Sequence, residues 1–291
     1  MTGENHRHLF CFGMGYSARA LAGQLLGEGW RVTGTCRAET RARELAEAGF
    51  GALVFDGTKP MAAGTLGDVT HILHSIPPDE DGDPVLNLHG DDIAQLKKLE
   101  WFGYLSTTGV YGDRGGAFVD ETTPPAPTSA RGRYRLAAEE GWLDLWQRSG
   151  TPVHIFRLAG IYGPGRSQID ALRAGTARRI VKQGQIFSRI HRDDIVAALR
   201  ASMAKPHPGR VYNLCDDEAA PPQDVIAYAA RLTGCPVPAA IPFEAADLSP
   251  MAKSFYSENK RVRNDRLKQE LINTLNYPSY REGLEAILKA K

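Results

Sequence analysis

The sequence predicts an α/β fold built on a doubly wound parallel sheet. The first observation is a short apolar run, His8–Phe12, followed by a glycine turn and by apolar residues at helical spacing. The second is that short apolar runs and helical segments keep alternating as far as residue 160. The third is length, since 291 residues can bury the core of one large or two modest domains.

Local signals justify the individual elements. The first helix follows the glycine turn because apolar residues then recur every three or four positions. Gly49 is a suitable end for the second helix, and Ser129 is a suitable cap for the long helix. Strands are predicted at residues 8–12, 30–36, 52–55, 71–76, 104–106, 153–158 and 211–214. Helices are predicted at residues 17–26, 38–48, 129–148 and 194–203, and residues 93–99 are predicted to be part of a further helix. Residues 186–190 are predicted to be extended.

Domain limits follow from where this alternation weakens. Beyond residue 160 it loosens, and the tail from residue 221 onward is mostly helical and interrupted by prolines. We expect a dinucleotide-binding domain over residues 1–160, to which residues 186–215 return. Residues 161–185 and 216–291 are expected to form a smaller, mostly helical, substrate-binding domain.

Composition narrows the class of function. The net charge is +1, which gives no electrostatic reason to expect nucleic acid or an anionic membrane surface as a partner. The four cysteines lack the spacing of a metal site or a disulfide framework, which suggests a reducing compartment. No window approaches the roughly 20 apolar residues of a membrane span, and the first residues do not resemble a signal peptide. We therefore expect a cytoplasmic protein without a metal site.

The glycine turn is the main functional signal. Gly13-x-Gly15-x-x-Ala18 stands between a predicted strand and a predicted helix, as in a Rossmann-type nucleotide-binding unit. Gly13 would allow the tight turn, and Gly15 would allow a pyrophosphate to approach the backbone. The alternative is an ordinary tight turn. The candidate cofactor-binding residues here are Gly13, Met14, Gly15, Tyr16 and Ser17.

Arg37 bears on the choice of nicotinamide cofactor. The second predicted strand has no acid at its end to bind a ribose hydroxyl, and Arg37 follows it directly. Because a guanidinium suits the 2′-phosphate, NADP(H) is favoured over NAD(H). The alternative is an ordinary surface arginine.

Other cofactor candidates lie at the ends of the next strands. Asp56 is positioned to accept from the adenine amino group or, equally well, to form a turn. His74 and Ser75 end the fourth predicted strand, where this fold places ligands.

Four later segments resemble motifs of the short-chain dehydrogenase/reductase superfamily, in its extended branch of NAD-dependent epimerases and dehydratases. One has Ser/Thr residues before Val-Tyr-Gly, and another ends in Tyr-Gly-Pro-Gly. A third resembles a His-Val-Asp-Asp segment, in which Asp193 or Asp194 caps a helix, and the fourth a Tyr-Asn-Val strand. These segments are residues 105–112, 157–165, 190–195 and 211–214. The resemblance implies a dinucleotide fold, a nicotinamide cofactor and a small-molecule substrate.

The catalytic signature departs from that family. Members carry Tyr-x-x-x-Lys on the long helix, whereas here Arg135 takes the Lys position and Arg131 the Tyr position. If Tyr134 is taken as the acid instead, its partner four residues later is Ala138. Thr107 falls where the family places its catalytic Ser/Thr, although it can equally be a strand-end hydroxyl. Such departures match the atypical members of the superfamily.

Two functions remain open at this point. The first is an atypical NAD(P)-dependent oxidoreductase or epimerase acting on a small polar or nucleotide-linked carbonyl or alcohol. Thr107 and Arg135 would hold the reacting end, and Arg166 would meet an anionic substrate. Tyr134, Tyr111 or a water chain would supply the proton. The second is a non-catalytic NADP(H)-binding sensor or scaffold.

Oligomeric state depends on the same long helix. Family members often form homodimers through it, and Trp142, Leu145 and Trp146 either serve such an interface or pack on the core.

Overall fold

Strands and helices alternate through most of the chain in this computed structural model, which describes residues 7–290. The strands are β1 (His8–Phe12), β2 (Arg31–Cys36), β3 (Gly51–Val54), β4 (His71–His74), β5 (Trp101–Thr107), β6 (Phe118–Val119), β7 (Val153–Leu158), β8 (Gly160–Tyr162), β9 (Arg179–Val181), β10 (Arg189–His191), β11 (Val211–Leu214), β12 (Ala240–Pro242) and β13 (Arg261–Val262). The helices are α1 (Tyr16–Gly27), α2 (Glu39–Glu47), α3 (Pro84–Ala94), α4 (Ala130–Ser149), α5 (Gln168–Arg173), α6 (Arg192–Ala204), α7 (Pro222–Thr233), α8 (Pro250–Tyr256), α9 (Asp265–Glu270) and α10 (Tyr280–Lys289). Short 3₁₀ helices span Thr108–Tyr111 and Phe243–Ala245.

Within residues 7–290, seven strands form one sheet in the order β11-β7-β5-β4-β1-β2-β3. Strand β1 pairs in parallel with both neighbours, so that Leu9 lies opposite Val32 on one side and His71 on the other. The pairs β2–β3 and β4–β5 are also parallel. The strand order reverses between β1 and β4, and ligands bind at the carboxyl ends of the strands at such a switch point. The predicted α/β fold with a parallel, Rossmann-type sheet is confirmed.

Two helix predictions were wrong in detail. Residues 95–99 are not helical, and α3 begins nine residues earlier than the predicted segment. Asp83 caps α3 with its carboxylate and Pro84 occupies the first turn, where a missing N–H costs nothing. Asp194 does not cap α6, because its carboxylate accepts the N–H groups of Asn276 and Tyr277 at 2.7 and 3.1 Å.

The chain divides into two compact units. The first contains the chain up to Ser106 together with Arg133–Phe156 and Leu199–Tyr212. The second contains Thr107–Gly132, Arg157–Ala198 and the chain from Asn213 onward. Residues 107–132 were expected in the first domain, but β6 pairs with β13, which ties this stretch to the second unit. The limits of a functional substrate domain remain a prediction.

Each unit has its own apolar core. In the first unit, Phe10, Phe12, Ile72 and Trp142 belong to a cluster that packs α3 and α4 on the sheet. Trp142 is fully buried, which supports the prediction that this side chain packs on the core. The homodimer remains a prediction. In the second unit, residues of α5, α7 and α10 pack around Tyr162. No helix within residues 7–290 is long and apolar enough to cross a membrane.

Candidate functional site

The turn after β1 has a conformation that requires glycine at its first position. Gly13 has φ of +85°, in the left-handed region. A Cβ atom at Gly13 would lie 3.0 Å from both Ser75 Oγ and Ile76 Cγ1. The Gly13 N–H donates to Thr35 Oγ1 at 2.8 Å, which fastens the turn to β2. The positive φ therefore strains any other residue here, and Ser75 and Ile76 would have to shift to accommodate a side chain.

Gly15 differs from Gly13 in both respects. Its φ of −83° is open to any residue, and a Cβ built on it meets no described atom within 4 Å. The neighbouring Met14 is buried, and its side chain packs where a Cβ of Gly34 would be. Met14 therefore holds the turn against β2, while the space above Gly15 is open to a ligand.

The amino end of α1 follows Gly15 directly. Among the described residues, no side chain caps this helix and no acid lies in its first turn. Free N–H groups and the positive end of the helix dipole favour a bound anion at such a position. Ser17 is buried in the first turn and Tyr16 is half-buried. The roles of these two residues toward a cofactor remain predictions.

Arg37 and Asp56 follow β2 and β3 at the same edge of the sheet. Arg37 is exposed directly after Cys36. Asp56 accepts the N–H and the hydroxyl of Thr58 at 2.9 and 2.8 Å, and these hydrogen bonds lower the pKa of its carboxyl. The structure thus places Asp56 in a turn-forming role and leaves the side chain of Arg37 accessible to a ligand.

Ser75 supports the glycine turn, whereas His74 does not face it. The Ser75 hydroxyl donates to the carbonyl oxygen of Gly13 at 2.6 Å. The expectation that His74 contacts a cofactor needs correction, because the residue is completely buried. Its ring packs beside Tyr104 and Trp142, with centroids 5.0 and 5.6 Å away. His74 is a core residue beneath the candidate site.

The carboxylate of Asp83 pairs with the buried ring of His74, a contact that the sequence did not indicate. His74 Nε2 lies 2.9 and 2.7 Å from the two carboxylate oxygens of Asp83. Trp142 Nε1 donates to the same carboxylate at 3.0 Å. Burial alone would raise the pKa of the Asp83 carboxyl. The interaction with His74 and these hydrogen bonds have the larger effect, so the pKa is lowered. The sequence signal for Asp83 as a helix cap is an Asp-Pro pair directly before an apolar helical segment.

Arg135 is anchored to β5. Its guanidinium donates to the carbonyl oxygen of Leu105 at 2.8 Å and to the hydroxyl of Tyr104 at 3.2 Å. One turn further along α4, the buried carboxylate of Glu139 accepts the hydroxyl of Ser106. Tyr134 is half-buried on α4. Arg135 thus joins α4 to the strand that ends in Thr107, and the catalytic roles of Tyr134 and Arg135 remain predictions.

Thr107 caps the 3₁₀ helix at the end of β5, and Tyr111 is the last residue of that helix. Thr107 Oγ1 accepts the N–H of Gly109 at 3.1 Å, which leaves its hydroxyl proton able to donate. Tyr111 is completely buried, donates to Asn213 Oδ1 at 2.8 Å and accepts from Arg157 at 3.0 Å. Burial raises the pKa of Tyr111. Tyr111 is therefore excluded as the proton donor, and Thr107 keeps a free donor function.

Arg166, the candidate substrate residue, lies in a tight turn of the second unit. Its backbone exchanges two hydrogen bonds with Gly163, and its side chain is exposed. Its role toward an anionic substrate remains a prediction. Across residues 7–290, no group of three or more His, Cys, Asp or Glu side chains is arranged to hold a metal ion.

Two sequence comparisons with known proteins found a similarity. Residues 91–215 match the model of the NAD dependent epimerase/dehydratase family. Protein YeeZ of Escherichia coli K12 is 28% identical over 219 residues, which are 70% of this chain and 75% of that protein.

Solved structures share the fold of this chain. A functionally unknown conserved protein from Silicibacter pomeroyi DSS is 54% identical, with a TM-score of 0.90 over 98% of this chain and 99% of that chain. UDP-glucuronic acid 4-epimerase from Bacillus cereus, in complex with UDP-glucuronic acid and NAD, has a TM-score of 0.75. That similarity covers 97% of this chain and 99% of that one at 20% identity, which shows a shared fold.

Proposed function

We propose that this chain, whose residues 91–215 match the model of the NAD dependent epimerase/dehydratase family, is an atypical, NADP(H)-dependent oxidoreductase or epimerase of the extended short-chain dehydrogenase/reductase type. The family binds a nicotinamide cofactor, and neighbours of this fold bind nucleotide sugars. The proposed substrate is a small polar or nucleotide-linked carbonyl or alcohol. A bound nicotinamide supplies the hydride acceptor or donor, and the protein supplies orientation and a proton.

The observation that carries the proposal is the contrast between the two glycines of the turn. Gly13 packs against Ser75 and Ile76, and its N–H donates to Thr35, so the turn is fastened to the sheet. Gly15 leaves open space beside the uncapped amino end of α1. A fixed turn with open space at this position suits the pyrophosphate of a dinucleotide.

Arg37 supports the preference for NADP(H). Its exposed guanidinium follows β2 at the edge where the adenosine ribose lies in this fold. We expect Arg37→Ala to weaken NADPH binding at least tenfold, about 1.4 kcal/mol, and to leave NADH binding nearly unchanged. Isothermal titration of both proteins with NADPH, NADP⁺ and NADH measures this.

Arg31→Ala is the matched control, because Arg31 starts the same strand and is exposed at its opposite end. We expect no change in NADPH affinity for this variant. Equal affinities of the unsubstituted protein for NADPH and NADH would contradict the NADP(H) preference. No binding of any nicotinamide nucleotide would overturn the proposed function itself.

At the reacting end, Thr107 and Arg135 have different roles. Thr107 retains a hydroxyl proton with which it would orient a substrate oxygen. Arg135 does not exchange protons usefully near neutral pH, so its role is to bind and orient. Tyr134 is the remaining side-chain candidate for the proton donor, beside a water chain, since the Tyr111 hydroxyl is bonded to Asn213 and Arg157.

A non-catalytic NADP(H) sensor is the second candidate function. The sequence lacks Tyr-x-x-x-Lys, and Arg135 is occupied with Tyr104 and the Leu105 carbonyl. The absence of the catalytic pair is what favours this alternative.

Thr107→Val separates the two functions. In an enzyme, the valine removes the donor to the substrate oxygen, so we expect turnover to fall at least tenfold while NADPH affinity stays within twofold. The assay is NADPH oxidation or sugar isomerisation with UDP-glucuronic acid and related nucleotide sugars or their keto derivatives. NADPH binding without turnover by the unsubstituted protein across that set would favour the sensor.

A further inference from the structure

A three-residue segment far along the chain binds two separate loops of the second unit. Residues 258–260, here called the 258–260 segment, lie between α8 and β13. One bound loop is residues 112–116, which follow the 3₁₀ helix capped by Thr107. The other is residues 184–186, which lead into β10. Neither contact was visible in the sequence.

Asn259 holds the first loop with its backbone. Its N–H donates to Asp113 Oδ1 at 2.8 Å. Its carbonyl oxygen accepts the N–H groups of Arg114 and Gly116 at 3.0 and 2.9 Å. The hydrogen bond from Asn259 is the main reason that the pKa of the Asp113 carboxyl lies below its usual value.

The side chain of the same residue holds the second loop. Asn259 Nδ2 donates to the carbonyl oxygen of Gly184 at 2.9 Å, and Oδ1 accepts the N–H of Ile186 at 3.2 Å. Beside it, Gln185 Nε2 donates to the carbonyl oxygen of Glu258 at 2.7 Å. Both polar atoms of the Asn259 side chain and both of its backbone groups are therefore engaged.

Lys260 and Glu258 add a shielded ion pair beside these contacts. Their side chains are only 10% and 12% exposed. Lys260 Nζ also donates to the carbonyl oxygen of Gly112 at 2.9 Å, and Glu258 accepts the hydroxyl of Thr128 at 3.2 Å. A lysine fits this place because its ammonium satisfies both a carbonyl and a carboxylate.

The first loop has little freedom of its own. Gly112 has φ of +66°, and a Cβ there would overlap the carbonyl oxygen of Ala126. The path of the chain from Thr107 to Gly116 thus includes a turn that only glycine fits, followed by the backbone hydrogen bonds to Asn259.

We propose that Asn259 is a positioning residue that couples loop 112–116 to loop 184–186 and fixes both for substrate recognition. The proposal rests on the proposed function for its substrate, but the coupling stands on the hydrogen bonds of Asn259. Asn259 acts through the loops that it holds and need not touch the substrate.

Asn259→Ala tests the coupling through amide hydrogen exchange. We expect exchange at Ile186 to rise at least tenfold, because its acceptor is removed, and exchange at Arg114 and Gly116 to rise together with it. Exchange at Met14, whose N–H donates to Thr35 in the first unit, should not change. Faster exchange at Ile186 with no change at Arg114 and Gly116 would show that the loops are held independently and would overturn the coupling.

Binding of UDP-glucuronic acid in the presence of NADPH tests recognition. We expect its affinity to fall at least tenfold in Asn259→Ala, with NADPH affinity within twofold of the unsubstituted protein. Asn259→Asp keeps an acceptor for Ile186 and should recover part of the loss. Loosened loops with unchanged UDP-glucuronic acid affinity would overturn the positioning role.

The control is Asn87→Ala, which removes an asparagine hydrogen bond to the Asp81 carbonyl in the first unit and should change neither measurement. If the unsubstituted protein does not bind UDP-glucuronic acid, the nucleotide-sugar part of the proposed function fails, and the exchange rates alone decide whether Asn259 couples the loops.

Discussion

Gly15→Ala is expected to abolish tight dinucleotide binding while leaving the fold intact. The backbone of Gly15, with φ of −83°, accommodates alanine, and the added methyl group meets no described atom within 4 Å. That methyl would instead fill the space in which the pyrophosphate approaches the backbone. We expect NADPH affinity to fall at least 100-fold, about 2.7 kcal/mol, and the free energy of unfolding to change by less than about 1 kcal/mol. Isothermal titration and urea unfolding provide the two numbers.

Two further glycines serve as controls for this result. Gly23 lies in α1, and a methyl group there also meets open space, so Gly23→Ala should bind NADPH normally and gain about 0.5–1 kcal/mol in stability. Gly13→Ala should behave in the opposite way, losing about 1–3 kcal/mol because alanine is strained at φ of +85°. Normal NADPH affinity in Gly15→Ala would mean that the cofactor binds elsewhere.

The parts of the site that could be predicted from the sequence are those set by neighbouring residues. Strand β1, the turn at Gly13 and helix α1 follow one another directly, so local patterns identify them. Strands β7 and β11 were placed at their observed bounds for the same reason, since apolar runs flanked by turn residues define them.

The parts that could not be predicted depend on residues distant in sequence. The position of Arg135 on α4 was predicted, but its hydrogen bond to the Leu105 carbonyl exists only once α4 packs on β5. Tyr111 looked like a candidate acid until the fold placed Asn213 and Arg157 against its hydroxyl. His74 was correctly placed near the carboxyl end of its strand. Its burial could not be predicted, because it depends on the acceptor that Asp83 provides.

Asp83→Ala is expected to be the most destabilising single substitution considered for this protein. The carboxylate is completely buried and accepts from His74, from Trp142 and from the N–H groups of Val85 and Leu86. Alanine leaves these donors without an acceptor and removes the cap of α3. We expect a loss of about 3–5 kcal/mol in the free energy of unfolding, measured by urea denaturation followed by circular dichroism.

Asp81→Ala is the matched control, because Asp81 is an exposed acid two residues earlier in the same loop, and its loss should stay within about 0.5 kcal/mol. The pKa of Asp83 is lowered in the folded protein, so its contribution is present above the pKa of the unfolded chain, about 3.9, and is lost as the pH falls below that value. Asp83→Ala should therefore reduce the acid sensitivity of unfolding as well as the stability near neutral pH. A loss below 1 kcal/mol would show that His74 and Trp142 find other acceptors, and β4 and α3 would then owe little of their association to this carboxylate.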